Sequence, residues 1–208
     1  MRLFIAVNIK AETKNKIVRI QSALKKNCDG VKWTLPENLH LTLKFLGEVD
    51  DSRKDLISEK LRQAVIGIKK FEIDFEKIGV YPFETAPRVL WSGVGEGKIE
   101  LENLAQKIES LLTEIANLGF EKEKRSFSAH LTLGRFKSPT CSPRIHSGVS
   151  PDKRIGVNSA NKKLFDIMKN ITIGKISDAV ESVYLMKSTL TPLGPIYEVV
   201  EKFQLEEK

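Results

Sequence analysis

Histidine is scarce in this chain, with three in 208 residues, and cysteine is scarcer still, with two. Cys28 and Cys141 form no CxxC and no ligand pattern, so neither a disulfide framework nor a structural zinc site is indicated. No run approaches the ~20 apolar residues that a bilayer-spanning helix needs, so no membrane span is expected. The first eight residues hold too short an apolar run for a secretory signal and read as a strand, which leaves a soluble cytoplasmic protein as the expectation. Gly93, Gly95 and Gly97 are not spaced as a nucleotide fingerprint, and no strand–turn–helix phosphate loop is evident. What remains is a chain with 41% apolar residues, enough for a real core. Lys and Arg number 34 against 27 Asp and Glu, a formal net charge of +7. That surplus favours acidic partners such as nucleic acid or phosphorylated ligands, although lysine-rich solvated surfaces also produce it.

Two of the three histidines occupy equivalent positions in an identical tetrapeptide, His40-Leu41-Thr42-Leu43 and His130-Leu131-Thr132-Leu133. Side chains alternate across a strand with period two. Each copy, read as a strand, turns His and Thr to one face and both leucines to the other. The leucines suit a core and the polar pair suits a cleft. Two such strands side by side, or facing across a groove, would line it with two imidazoles and two hydroxyls.

Along the chain, Leu3, Ile5, Val7 and Ile9 alternate as a strand. Ile17, Ile20, Leu24 and Cys28 have helical spacing, and Asp29-Gly30 ends that helix. Pro36 marks a turn before the first motif strand, which runs to Gly47. Asp51 or Ser52 is placed to cap a helix whose stripe is Ile57, Leu61, Ala64, Val65 and Ile68. Residues 71–76 and 88–94 read as strands. Leu101, Leu104, Ile108, Leu111, Ile115 and Leu118 form a third helical stripe stopped by Gly119. The second motif strand spans roughly Phe127 to Phe136. Residues 138–160, rich in Pro, Gly and Ser, read as a loop or insert, with a short helix at 158–168. Strands near 170–186 and 196–205, separated by 188–195, close the chain. The order suggests a duplicated α+β unit with antiparallel sheets and the motifs between the two units.

Two imidazoles in one groove suit paired proton transfer, one taking a proton from a nucleophile and the other giving one to a leaving group. Phosphoester hydrolysis fits this, with Thr42 and Thr132 donating to the phosphoryl oxygens and Arg135 adding charge. A zinc site would need a third ligand, and no convincing position exists for one. His146 reads as a surface-loop residue, and no glycine elbow surrounds Ser128 or Ser188. Trp33, Phe45, Trp91 and Tyr197 read as core or sheet aromatics rather than base-stacking platforms.

The paired motifs resemble those of the two-histidine phosphoesterase superfamily, and more closely those of the RNA 2′,3′-cyclic phosphodiesterases, the LigT-like or 2′-5′ RNA ligase family. The resemblance covers nearly the whole chain. It includes the opening Arg2 to Val7, the run from Trp33 through His40 to Gly47, Pro87 to Trp91, Ala129 to Arg135, and Ser188 to Tyr197. It implies a bilobal α+β fold of two pseudosymmetric lobes, antiparallel sheets with helices outside and a cleft between. It also implies metal-independent, cofactor-free hydrolysis of terminal RNA 2′,3′-cyclic phosphates to 2′-phosphomonoesters. His40 would protonate the leaving 3′ oxygen and His130 would activate water. Thr42, Thr132 and Arg135 would hold the phosphate. Ligation through a 2′-5′ bond is the same chemistry with a 5′-hydroxyl nucleophile. The expected partners are RNA ends, tRNA fragments among them, for a monomer acting as one bilobal domain. Residues 137–165 form a longer insert than the resemblance leads one to expect and read as a loop or flexible insert. The same residues also suit a non-catalytic RNA-end binding module, or the same chemistry on small cyclic nucleotides or 2′-5′ oligoadenylates.

Overall fold

The structure is a computed structural model that describes residues 1–26, 30–114, 119–123, 125–137, 164–168, 175–192 and 194–207. In chain order the elements are β1 (Arg2–Asn8), α1 (Ala11–Lys25), β2 (Val31–Trp33), β3 (His40–Glu48), α2 (Lys54–Val65), β4 (Phe71–Tyr81) and β5 (Val89–Val94). They continue as α3 (Lys98–Thr113), β6 (His130–Phe136), β7 (Ile176–Val180), β8 (Ser182–Thr191) and β9 (Gly194–Gln204), with 3-10 turns at Pro36–Asn38 and Asp51–Arg53. The strands form one antiparallel nine-stranded sheet in the order β7-β4-β5-β6-β3-β1-β8-β9, with β2 beside β6.

Leaving β2 aside, the other eight strands form two four-stranded halves that meet between the motif strands, at the pair Leu41↔Leu131. One half (β9, β8, β1, β3) comes from the two ends of the chain and the other (β6, β5, β4, β7) from its middle. The halves repeat each other in register. His40 pairs with Asn8 and Thr42 with Ala6; His130 pairs with Gly93 and Thr132 with Trp91. Both motif strands then skip one residue, Leu43 in β3 and Leu133 in β6, so each carries a bulge at the same place.

The helices tie the halves together. The helix after β1 packs on the other half. In α1, Thr13, Ile17, Gln21 and Leu24 are buried at a spacing of four or three. Gln21 donates to the carbonyls of Thr34 (2.9 Å) and Leu133 (2.8 Å), and Thr13 to that of Ser177 on β7 (3.3 Å). The N-terminus of α1 lacks a local side-chain cap, and the β7 carboxylate of Asp178 accepts from the Lys10 N–H at 2.7 Å instead. Conversely, α3 follows β5 yet reaches β3 through an ion pair between Glu109 and Lys44. The motif leucines 41, 43, 131 and 133 all lie in the main core, as alternation requires.

Several expectations need correction. The strand read near 170–186 is two strands in opposite halves. At Glu181 the chain leaves β4, its carbonyl accepts from Leu205 N–H (2.9 Å), and it continues between β1 and β9. The separator read at 188–195 is mostly ladder, closing at Thr191↔Gly194. Asp50, not Asp51 or Ser52, caps the turn before α2 by accepting from Ser52 N–H at 2.9 Å. The second motif strand starts at His130, not Phe127. In α3, Leu112 is buried where Leu111 is only partly so. Cys28, His146 and most of the 137–165 insert lie outside the described residues. Among the described residues no helix is long and apolar enough to cross a membrane.

Candidate active site

Each motif histidine follows a buried residue, Leu39 or Ala129, which in turn follows a backbone carbonyl that the ring reaches. His40 Nδ1 is 2.8 Å from the Asn38 carbonyl oxygen, and His130 Nδ1 is 2.7 Å from that of Ser128. A carbonyl only accepts, so both rings carry their proton on Nδ1 when neutral. That leaves Nε2 as the lone-pair atom at the ring's other edge. At His40 it lies 2.9 Å from Thr42 Oγ1, whose O–H donates to it while the ring is neutral. Pro36 opens the 3-10 turn that presents the Asn38 carbonyl, and Asn38 Nδ2 donates to the Pro195 carbonyl at 2.9 Å. The turn is thereby fastened to the β8–β9 hairpin.

A tyrosine stands edge-on to each imidazole. Tyr197 meets His40 at 5.2 Å and 85°, and Tyr81 meets His130 at 5.4 Å and 80°. Phe4 lies 5.0 Å from the His40 ring and 4.9 Å from Tyr197. With Ala6, Met186 and Tyr184 these rings form a small apolar cluster on the face of β1 opposite the main core. In the other half, Tyr81 stacks on Trp91 at 4.9 Å, and its hydroxyl lies 3.0 Å from Ser128 Oγ. The indole occupies the space a side chain at Gly79 would fill, since a Cβ there would stand 2.2 Å from Trp91 Cζ2.

The antiparallel pair Leu41↔Leu131 sets His40 and Thr132 on one side of itself and Thr42 and His130 on the other. Beyond each Thr the bulge reverses the alternation. Strict alternation would put Lys44 with His40 and Thr42; instead Lys44 is buried with its Nζ 2.5 Å from Glu109 Oε2, and Phe45 is 62% exposed. The same shift in β6 buries Gly134 and exposes Arg135, on the face of His130 and Thr132. The five residues singled out from the sequence (His40, Thr42, His130, Thr132 and Arg135) therefore share one face at the junction of the halves. Ser128 enters the site through its carbonyl, while its hydroxyl is engaged by Tyr81.

Burial is the main force on His40, lowering its pKa to about 4. The bond to the Asn38 carbonyl opposes this, and the charges of Lys14 and His130 reinforce it. Lys14 is itself partly buried, which pulls its pKa down, and its Nζ lies 3.4 Å from the Glu37 carbonyl oxygen. Burial pushes the Tyr197 phenol up, against the charge of Arg135. Sequence reasoning missed Lys14, Tyr81 and Phe4. Only Tyr81 has a counterpart that could have pointed to it, and the match with Tyr197 is visible in space rather than in spacing. Among the described residues no group of three or more His, Cys, Asp or Glu side chains could hold a metal ion.

A family model described as LigT-like phosphoesterase matches residues 7–91. A protein of Thermotoga maritima named RNA 2′,3′-cyclic phosphodiesterase is 34% identical over 206 residues, 99% of this chain and 96% of its own length. One of Archaeoglobus fulgidus with the same name is 35% identical over 205 residues, 98% of this chain and 100% of its own. A crystal structure from Thermus thermophilus matches with a TM-score of 0.74 at 29% identity, covering 100% of both chains. With relatives this similar along their full length, and the duplicated half-sheet in place, the chain belongs to the LigT-like phosphoesterase family.

Proposed function

We propose that this protein hydrolyses the terminal 2′,3′-cyclic phosphate of RNA to a 2′-phosphomonoester without a metal ion. The observation that carries the reading is the pair of imidazoles, each fixed by a backbone carbonyl at Nδ1, on one face of adjoining strands. The names of the full-length relatives support the substrate. His130 Nε2 takes a proton from water as the water oxygen attacks phosphorus. The bond from phosphorus to O3′ breaks, and His40 Nε2–H gives O3′ its proton. The products are a 2′-phosphate and a 3′-hydroxyl.

His40 must carry a proton to act as the acid, yet burial favours its neutral form in the free protein. A bound phosphate brings a negative charge beside it and favours the imidazolium. Protonation also turns Nε2 from acceptor to donor. It thereby releases the Thr42 O–H to bond a phosphoryl oxygen. Thr132 and Arg135 provide the remaining donors to the transition-state oxygens. A 5′-hydroxyl in place of water would run the same steps as 2′-5′ ligation. We read the whole chain as one catalytic unit, because α1 and α3 each brace the half to which they do not belong.

The test is turnover of an oligoribonucleotide ending in a 2′,3′-cyclic phosphate by wild type, His40→Ala and His130→Ala. Each variant should lose at least about 100-fold, the low end for one proton-transfer group, while remaining folded at the assay temperature by circular dichroism. A variant near the wild-type rate removes that histidine from the mechanism. Tight binding by wild type without turnover would favour the RNA-end binding module.

A further inference from the structure

The proposed reaction gives the cleft a direction, and the subsite inferred from that direction rests on the same reading. The oxygen that His40 protonates belongs to the substrate's own ribose, so the substrate strand enters from the His40 side. Tyr197 stands on that side, edge-on to His40 and 4.9 Å from Phe4. Arg2, Phe4 and Ala6 alternate along β1 on one face, the face of the small apolar cluster that includes Tyr197. The pair Leu3↔Lys187 brings Arg2 level with Ser188, and Ser188 pairs with Tyr197. Arg2 and Arg135, from opposite halves, are both close enough for their charges to act on the Tyr197 phenol.

Arg2 is exposed, and among the described residues it forms no ion pair. Its cross-strand neighbour Glu48 points instead at the N-terminal ammonium, 3.9 Å away. An uncompensated guanidinium beside a partly exposed phenol is a fitting receptor for a phosphodiester: the fork binds the anionic oxygens and the O–H donates a further bond, while Phe4, itself buried, supports the phenol ring. A nucleoside 2′,3′-cyclic phosphate has one phosphate, which Thr42, Thr132 and Arg135 would occupy. Only a strand offers a second.

We propose that Arg2 and Tyr197 form a subsite for the phosphodiester on the 5′ side of the terminal ribose. This selects RNA strand ends over free nucleoside cyclic phosphates.

The experiment compares kcat/KM on two substrates, an oligoribonucleotide with a 2′,3′-cyclic phosphate end and cytidine 2′,3′-cyclic monophosphate, across a salt series. The proteins are wild type, Arg2→Gln and Arg2→Lys. Wild type should prefer the oligonucleotide. Arg2→Gln should lose about tenfold or more on it, mainly through KM, the scale of one charged hydrogen-bonding contact. The mononucleotide rate should stay unchanged. The slope of log kcat/KM against log salt for the oligonucleotide should flatten by about 0.7, as for one lost single-strand phosphate contact. Arg2→Lys should recover part of the loss. Equal losses on both substrates, no loss on either, or a wild type indifferent to strand length would each overturn the subsite while leaving the phosphodiesterase reading intact. A wild type that turns over neither substrate would overturn that reading, and the subsite with it.

Discussion

His40 should be neutral in the free protein and charged in the complex, and the structure sets the size of the change. Its pKa falls from the ordinary ~6.5 to about 4, mainly through burial beneath Phe4 and Tyr197. That difference is about 3 kcal/mol against the imidazolium. At neutral pH only about one molecule in a thousand would carry the proton. An anion that binds the imidazolium must supply this energy. Its affinity should then rise about tenfold for each pH unit below neutrality, down to the free pKa. Sulfate suits the test because its charge is constant across that range. Imidazole resonances followed by NMR would give the free midpoint, with His40→Gln assigning the peak among three histidines. Calorimetry with sulfate at stepped pH would give the affinity slope, which His40→Gln should flatten. A free midpoint near 6.5, or a sulfate affinity that does not change with pH, would refute the reasoning. Stability follows the same linkage. Below ~6.5 the unfolded chain binds the proton that folded His40 refuses. The contribution is therefore complete above that pH and is lost as pH falls toward about 4.

Thr42→Val and Thr132→Val should each slow turnover of the cyclic-phosphate oligonucleotide by about 10–1000-fold, around the scale of one lost transition-state donor, with little change in melting temperature. Lys44→Met should leave the partly buried Glu109 carboxylate without its countercharge, the Glu123 N–H still bonded to it, and cost up to about 3 kcal/mol, read as a lower denaturant midpoint. Lys44→Met with Glu109→Leu should recover most of that loss. Gly79→Ala should drive a methyl into the Trp91 ring, cost about 1–3 kcal/mol, and slow turnover by displacing the Tyr81 that abuts His130.

Period-two alternation was enough to read the motif strands, their inward leucines and the shared face of His and Thr, because those positions precede any irregularity. It stops at Leu43 and Leu133. Nothing local announces the bulges: strict alternation puts Lys44 on the face of His40 and Phe45 on that of the leucines, and the structure reverses both. Apart from the family resemblance, Arg135 could be singled out only as a nearby basic residue; the bulge is what turns it to the face of His130. The break at Glu181 was equally hidden, because β7 and β8 abut in sequence while pairing with opposite halves. Thr13 and Gln21 look like solvent-facing helix residues, yet both are buried to bond backbone carbonyls, a need visible only once the sheet exists. Tyr81 and Lys14 join the site through tertiary packing and leave no mark in sequence spacing.

The most direct test of the central claim is the identity of the product end. Purified protein would be incubated with an oligoribonucleotide bearing a 2′,3′-cyclic phosphate in the presence of EDTA, and the phosphate position read by chromatography. A 2′-phosphate end, formed at the rate seen without chelator and lost in His130→Ala, is the expected result. A 3′-phosphate end would contradict the assignment of the leaving oxygen, and activity abolished by EDTA would contradict hydrolysis by the paired histidines alone.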